Sequence, residues 1–234
     1  MDNNGAAGMW SACARRKGTD MIIGIPVYDG VDLLDVMGPY EMFKWIDSPE
    51  VTVEVRIIGM TARNVTTRDG VTFRPHMSFR QIERSDTRLD VIWVPGGDPA
   101  ALRRLMTDER RRYLDFLVAQ SRAARIVASV CEGALLLAQA GLLDGYRATT
   151  HWAFIPCLKR FPNVRVVPGA PRFVVDGNRV TGGGISSGLD EALALIEMLT
   201  DTKTAQSVQQ NTQYYPKPPV DSVLPDATDC PFCW

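Results

Sequence analysis

Apolar residues recur along this chain in short unbroken runs separated by longer amphipathic stretches. The runs Met21–Tyr28, Val51–Met60, Leu89–Pro95 and Arg125–Val130 are rich in Ile and Val, and several end at turn residues such as Asp29-Gly30 and Gly96-Gly97-Asp98. Runs of that length and make-up predict strands buried on both faces. Between them the spacing becomes helical. Gly38-Pro39 predicts a helix opening there and running to about Trp45, with Pro39 in the first turn, where a missing N–H costs least. Thr107–Ser121 predicts one Arg-rich helix capped at Thr107 or Asp108, and Glu132–Ala140 a second, stopped by Gly141. Short strands are expected at Val164–Val167 and Arg172–Val175, with Asp176-Gly177-Asn178 leading to another around Val180, and Ser187 can cap a last helix reaching about Thr200. Strands alternating with helices predict an α/β domain with a mainly parallel sheet and helices on both faces. Met1–Asp20 has no periodic apolar face and is expected to be a disordered tail. One domain is expected over residues 21–201. A 202–234 extension follows it, irregular from the Pro-rich stretch at Tyr214 onward.

Composition narrows the function classes. The chain has 234 residues, 45% hydrophobic and 23% charged, with a formal net charge of −1. That balance offers no global field to draw it to nucleic acid or an acidic membrane, and no apolar run is long enough to span a bilayer. The first twenty residues lack the continuous apolar stretch of a secretory signal, so a cytoplasmic location is expected. Five cysteines at these spacings make no disulfide framework and are expected to be free thiols in a reducing compartment. Neither metal nor organic cofactor is expected. No Cys/His cluster has zinc spacing, and Cys230-Pro231-Phe232-Cys233 has no second pair. The Gly-rich Thr181–Ser187 segment matches neither a Walker motif nor a dinucleotide fingerprint.

The chemistry concentrates at Ser129-Val130-Cys131-Glu132-Gly133. A buried strand runs into Cys131 and a helix starts directly after it, the layout of a nucleophile elbow with Cys in place of Ser. A helix N-terminus favours a thiolate, so a lowered thiol pKa is expected there. A buried, inert cysteine would show the same local pattern.

The stretch from Ser129 to Trp152 resembles the ThiJ/PfpI superfamily, and within it the isonitrile hydratases. Asp29–Pro39, Val94–Gly97, Ala148–Trp152 and Asn178–Asp190 agree in order and spacing, so the resemblance runs from about Met21 to Asp201. It implies a flavodoxin-like three-layer sandwich and a Cys131 nucleophile that hydrates a small, mostly apolar isonitrile to an N-substituted formamide. A homodimer is implied by the same resemblance. Isonitrile hydratases carry an acid where Asp35 stands. The competing reading makes Asp35 a helix N-terminal residue without a chemical role.

Gly96 and Gly97 correspond to backbone that contributes to an anion hole with the amide of Glu132, although Gly-Gly also serves a simple turn. His151 falls where relatives place a His near the thiol, to orient or deprotonate it or to pack beneath the pocket. Gly183 lies in a loop expected to line that pocket. Glu132 departs from the hydratase pattern, which has Thr there. It could raise the thiol pKa, share a proton with Asp35, or point away to a basic residue.

Other activities of this fold fit less well. Glyoxalase-like or deglycase-like chemistry on reactive carbonyls usually goes with Glu at position 35. Intracellular proteases need His where Glu132 stands, and an amidotransferase needs an acid where Ala153 stands. A redox or stress sensor with the same thiol is a further alternative. Regulators of this fold carry a helix-turn-helix module, for which the residues after Asp201 are too few, so no nucleic-acid partner is expected.

Overall fold

The wholly buried runs Val-Ile-Trp-Val and Ile-Val-Ala-Ser form the centre of a sheet, because only strands covered on both faces can carry such sequences. The computed structural model describes residues 19–85 and 87–232. Its strands are β1 (Thr19–Val27), β2 (Val51–Gly59), β3 (Val65–Thr66), β4 (Thr72–Phe73), β5 (Met77–Ser78), β6 (Val91–Val94), β7 (Ile126–Ser129), β8 (Arg147–Ala148), β9 (Arg165–Val166), β10 (Phe173–Asp176) and β11 (Arg179–Gly182). Seven of these form the main sheet in the order β10-β11-β7-β6-β1-β2-β5, and every pairing is parallel except β10 with β11. The helices are α1 (Leu33–Lys44), α2 (Phe79–Arg84), α3 (Pro99–Thr107), α4 (Arg112–Ser121), α5 (Gly133–Gln139), α6 (Ile155–Leu158), α7 (Ser187–Leu199) and α8 (Thr202–Asn211). α1 packs with α7, and α3 and α4 with α5, giving the expected helix–sheet–helix layers of a flavodoxin-like α/β fold.

Four expectations need correction. The first helix begins at Leu33 rather than Gly38, because Asp32 caps it by accepting the Leu34 N–H at 3.2 Å. Pro39 therefore lies inside the helix and cannot donate to the carbonyl of Asp35, four residues back. The Trp93 indole N–H takes that carbonyl at 2.9 Å. The helix expected over 107–121 starts only at Arg112 as α4, and a separate helix, α3, precedes it over Pro99–Thr107. Asp108 accepts the Arg110 N–H at 3.1 Å, its carbonyl accepts from Arg111 at 2.9 Å, and Arg111 adopts φ +48°, so a local turn replaces one helical revolution. Helix α8, capped by Asp201 through the Thr204 N–H at 2.8 Å, was not anticipated.

Cysteine pairing is the fourth correction. Cys157 and Cys230 form a disulfide across 73 residues, so they are not free thiols, and the extension is fastened to the domain. From Tyr214 to Phe232 the chain has neither helix nor strand, as expected. The first strand takes in Thr19 and Asp20, while the remainder of the expected tail, with Cys13, lies outside the described residues, as does Cys233. Among the described residues no helix is long and apolar enough to cross a membrane.

Candidate active site

Strand β7 delivers the chain to Val130 and then to Cys131, which adopts φ +57°. A non-glycine residue held there costs on the order of 1–3 kcal/mol, so its surroundings must over-determine it. They do so through four hydrogen bonds. The Cys131 N–H donates to the Gly183 carbonyl at 2.8 Å, and the Thr150 hydroxyl donates to the Cys131 carbonyl at 2.7 Å. The Val130 N–H reaches Val94 O at 3.1 Å, and the Gly133 N–H reaches Val130 O at 3.0 Å. Gly133 packs so closely on the Val94 carbonyl that no side chain fits, which explains a glycine at the start of α5.

The thiol is enclosed, with Cys131 only 2% exposed, and two buried carboxyls flank it. Asp35 is brought in by the first turn of α1. Its Oδ2 accepts the Gly96 N–H at 2.9 Å, whereas Oδ1 has no hydrogen-bond partner of normal geometry among the described residues. Burial pushes this carboxyl well above the usual carboxylate range, the Asp32 and Glu132 carboxyls push it further, and the Gly96 amide and Cys131 thiol oppose the rise. Glu132 is also buried, with Oε2 accepting the Gly97 N–H at 3.3 Å. Of the three courses open to it, Glu132 thus takes one that keeps it beside the thiol. Of the amides expected to form the hole, those of Gly96 and Gly97 are engaged by carboxyls, whereas the Glu132 N–H bears on the thiol. A Cβ on Gly96 would meet Cys131 Cβ at 2.9 Å and the Glu132 amide at 2.7 Å, so this contact requires glycine.

The expected depression of the thiol pKa is reversed. Burial raises Cys131 well above its ordinary value, and the neighbouring Asp35 and Glu132 carboxyls add to the rise. The Glu132 backbone N–H opposes these effects without overcoming them. The cluster thus sets a thiol with a raised pKa beside a carboxyl whose pKa is also raised.

His151 is half-buried and caps the short 3₁₀ turn Trp152–Phe154, with Nδ1 accepting the Ala153 N–H at 3.2 Å. Burial lowers its pKa, so the ring is neutral with its hydrogen on Nε2. No hydrogen bond joins it to Cys131 among the described residues. Instead it lines a cavity of about 360 Å³ together with Thr150, Gly183 and Ile185. His76 is structural, its Nδ1 accepting the Ile57 N–H at 3.0 Å.

Sequence reasoning missed three groups. Tyr28 donates to the Pro95 carbonyl at 3.2 Å, and burial with Tyr113 raises its pKa, so a neutral phenol stands beside the carboxyls. Trp93 holds the Asp35 backbone. Glu191 is fully buried on α7, with neither carboxyl oxygen hydrogen-bonded to a side-chain or conventional partner among the described residues. Its signal was a Glu on the buried stripe Ser187, Gly188, Glu191, Ala192, Leu195. Among the described residues no cluster of His, Cys, Asp and Glu could hold a metal ion.

Comparison with known proteins adds to this geometry. The family model described as DJ-1/PfpI family matches residues 21–198. The chain is 42% identical to isonitrile hydratase of Pseudomonas putida over 204 residues, covering 87% of this chain and 83% of that protein. It is 31% identical to the HTH-type transcriptional regulator GbdR of Pseudomonas aeruginosa (strain UCBPP-PA14), but over 67% of this chain and only 37% of the regulator. Among solved structures, a ThiJ/PfpI family protein from Pseudomonas syringae superposes with a TM-score of 0.76 at 32% identity, covering 87% of this chain and 79% of that one.

Proposed function

The chain belongs to the DJ-1/PfpI family, and from that premise we propose that it hydrates an isonitrile to an N-substituted formamide through the Cys131 thiol. The observation that carries the reading is the Asp35 carboxyl. One oxygen is fixed by the Gly96 amide, the other has no hydrogen-bond partner of normal geometry among the described residues, and burial raises the pKa of the group beside a thiol whose own pKa is raised. An isonitrile carbon bears a lone pair, so it needs a proton donor at least as much as a nucleophile.

The steps balance on these residues. Asp35 Oδ1–H gives its proton to the terminal carbon. Cys131 Sγ bonds to the same carbon, and the thiol proton passes to Glu132, leaving a thioimidate on sulfur. Asp35, now a carboxylate, takes a proton from water as the water oxygen adds to that carbon, and Glu132 returns its proton to nitrogen. Collapse then expels the sulfur, which regains a proton from the new hydroxyl through Glu132, and the formamide leaves. Addition to the isonitrile creates no oxyanion, which suits a site whose Gly96 and Gly97 amides already hold carboxyls. Attack on a reactive carbonyl would create one and would need those donors free, which weighs against the glyoxalase-like alternative.

The test is direct. Purified protein is incubated with an alkyl isonitrile, or separately with methylglyoxal, and products are followed by proton NMR. Formamide from the first and no lactate from the second is the expected outcome. No formamide, with the protein folded, overturns the reading. A second reading, a ligand-binding domain without turnover, is favoured by the likeness to GbdR and predicts saturable isonitrile binding with no product. Cytoplasmic residence and a homodimer complete the proposal on the family resemblance, and cell fractionation and light scattering test them. The Cys157–Cys230 disulfide would then face cellular reductants.

A further inference from the structure

The C-terminal extension is tied to the domain at two points, and one of its side chains forms a wall of the cavity beside Cys131. At its start, Gln213 turns the chain at φ +53° and Tyr214 is held in place. The Tyr214 N–H donates to Gln209 O at 3.0 Å, its carbonyl accepts from Gln209 Nε2 at 3.2 Å, and its hydroxyl donates to Asp190 Oδ1 at 3.1 Å. Asp190 also pairs with Arg172, whose guanidinium donates to Ser186 Oγ at 3.0 Å. Arg172 and Ser186 both line the cavity. At its far end Cys230 is bonded to Cys157 of α6, and the Phe232 ring lies 5.3 Å from Phe154, itself 5.9 Å from His151.

Between these anchors the extension has no backbone ladder, so its path depends on the two ties. Val220 and Val223 point outward, at 76% and 93% exposure, whereas Leu224 turns one side to the cavity. Thr150 and Gly183, the two residues hydrogen-bonded to the backbone of Cys131, line the same cavity.

We infer that Leu224, held over the cavity by the Tyr214–Asp190 and Cys157–Cys230 ties, is a specificity-determining residue that limits the bulk of the substrate's N-substituent. The inference rests on the isonitrile reading of Cys131. The thiol is almost closed off, so only a thin, linear head such as N≡C reaches it, and the substituent stays behind in the cavity. Leu34, Trp152, Pro171, Ile185 and Leu224 give that space apolar walls. At about 360 Å³ it lies at the small end of ligand cavities. The substrate class is therefore isonitriles with compact alkyl substituents, and polycyclic ones meet Leu224.

The experiment compares the full chain with Leu224→Ala and Cys230→Ser, using ethyl isonitrile and 1-adamantyl isonitrile. The ratio of kcat/KM for the bulky over the small substrate is expected to rise about tenfold or more in both variants, mainly through a lower KM for the bulky one. A ratio equal to that of the parent in both variants overturns the inference. A second readout does not depend on turnover. Alkylation of Cys131 by iodoacetamide and by N-phenyl iodoacetamide is followed by mass spectrometry of the Cys131 peptide. If no variant turns over any isonitrile, the functional reading fails. The wall assigned to Leu224 then stands only if the bulky-to-small alkylation ratio still rises in both variants, and falls if it does not.

Discussion

The indole of Trp93 donates its N–H to the backbone carbonyl of Asp35 at 2.9 Å, the carbonyl that Pro39 leaves without its helical partner. A proline inside a helix normally leaves an orphan acceptor. Here that orphan is the attachment point by which the central strand β6 fixes the residue proposed as the acid. Trp93→Phe removes the donor and keeps an aromatic ring, but loses the indole's second ring and leaves a void. A buried unsatisfied carbonyl costs about 1–3 kcal/mol, so thermal stability should fall. With Asp35 no longer held, kcat should fall more than KM rises. Calorimetry and steady-state kinetics check both, and an unchanged kcat would show that Asp35 does not need this support.

Asp35→Asn should lower turnover by about 10²–10⁴-fold, the usual contribution of a positioned acid–base group. Because burial and neighbouring carboxyls raise Asp35 above the usual range, the acid form persists above ordinary carboxylate pH. Activity of the parent should therefore decline as pH rises through that raised value, and the decline should disappear from the residual activity of the variant. A pH–rate profile with the same alkaline limb in both proteins would assign the limb elsewhere.

Glu132 contacts the Gly97 amide and the thiol from within the cluster. Glu132→Gln keeps the shape and loses the proton acceptor, so kcat should drop and the pH–rate profile should shift. Glu132→Thr opens space and frees the Gly97 N–H, and it should alter preference among isonitriles. Kinetics across pH with two substrates checks this. If both variants match the parent in profile and preference, Glu132 takes no part in the chemistry.

Glu191 offers a stability test. Burial and Asp35 raise its pKa in the folded chain. A carboxyl raised on folding contributes stability that is full below its unfolded value, about 4.3 for Glu, and is lost as pH rises through the folded value. Glu191→Gln removes that dependence. The variant should gain melting temperature relative to the parent as pH increases from about 4 toward neutrality. A difference that stays constant with pH would mean that Glu191 does not titrate between the two states.

The disulfide should matter to folding as well as to the cavity. Closing a loop of 73 residues stabilises a fold by roughly 2–4 kcal/mol. Cys230→Ser should lower the denaturation midpoint accordingly, and reduction of the parent with a dithiol should lower it by a similar amount. Equal midpoints with and without the bond would remove its structural role.

Much of this was legible in the sequence, because it is local. The order of buried strands follows from unbroken Ile/Val runs, and the elbow from a strand, a cysteine and a helix in direct succession. What was not legible depends on residues far apart in the chain. Trp93 meets Asp35 across 58 positions, and Cys157 meets Cys230 across 73. The helix terminus beside the thiol is a local feature, whereas the burial and the carboxyls that outweigh it arise only on folding. The late start of α4 at Arg112 rests on the Asp108 turn and the left-handed Arg111, which the Arg-rich stretch does not announce.

The central claim is that the Cys131 sulfur bonds to the isonitrile carbon. Rapid quenching during turnover, followed by mass spectrometry of the Cys131 peptide, tests it most directly. The account predicts an adduct heavier by the whole mass of the isonitrile, which decays as the formamide appears, and no turnover in Cys131→Ala. Formamide production at the parent rate by Cys131→Ala, or turnover with Cys131 unmodified at every quench time, would contradict it.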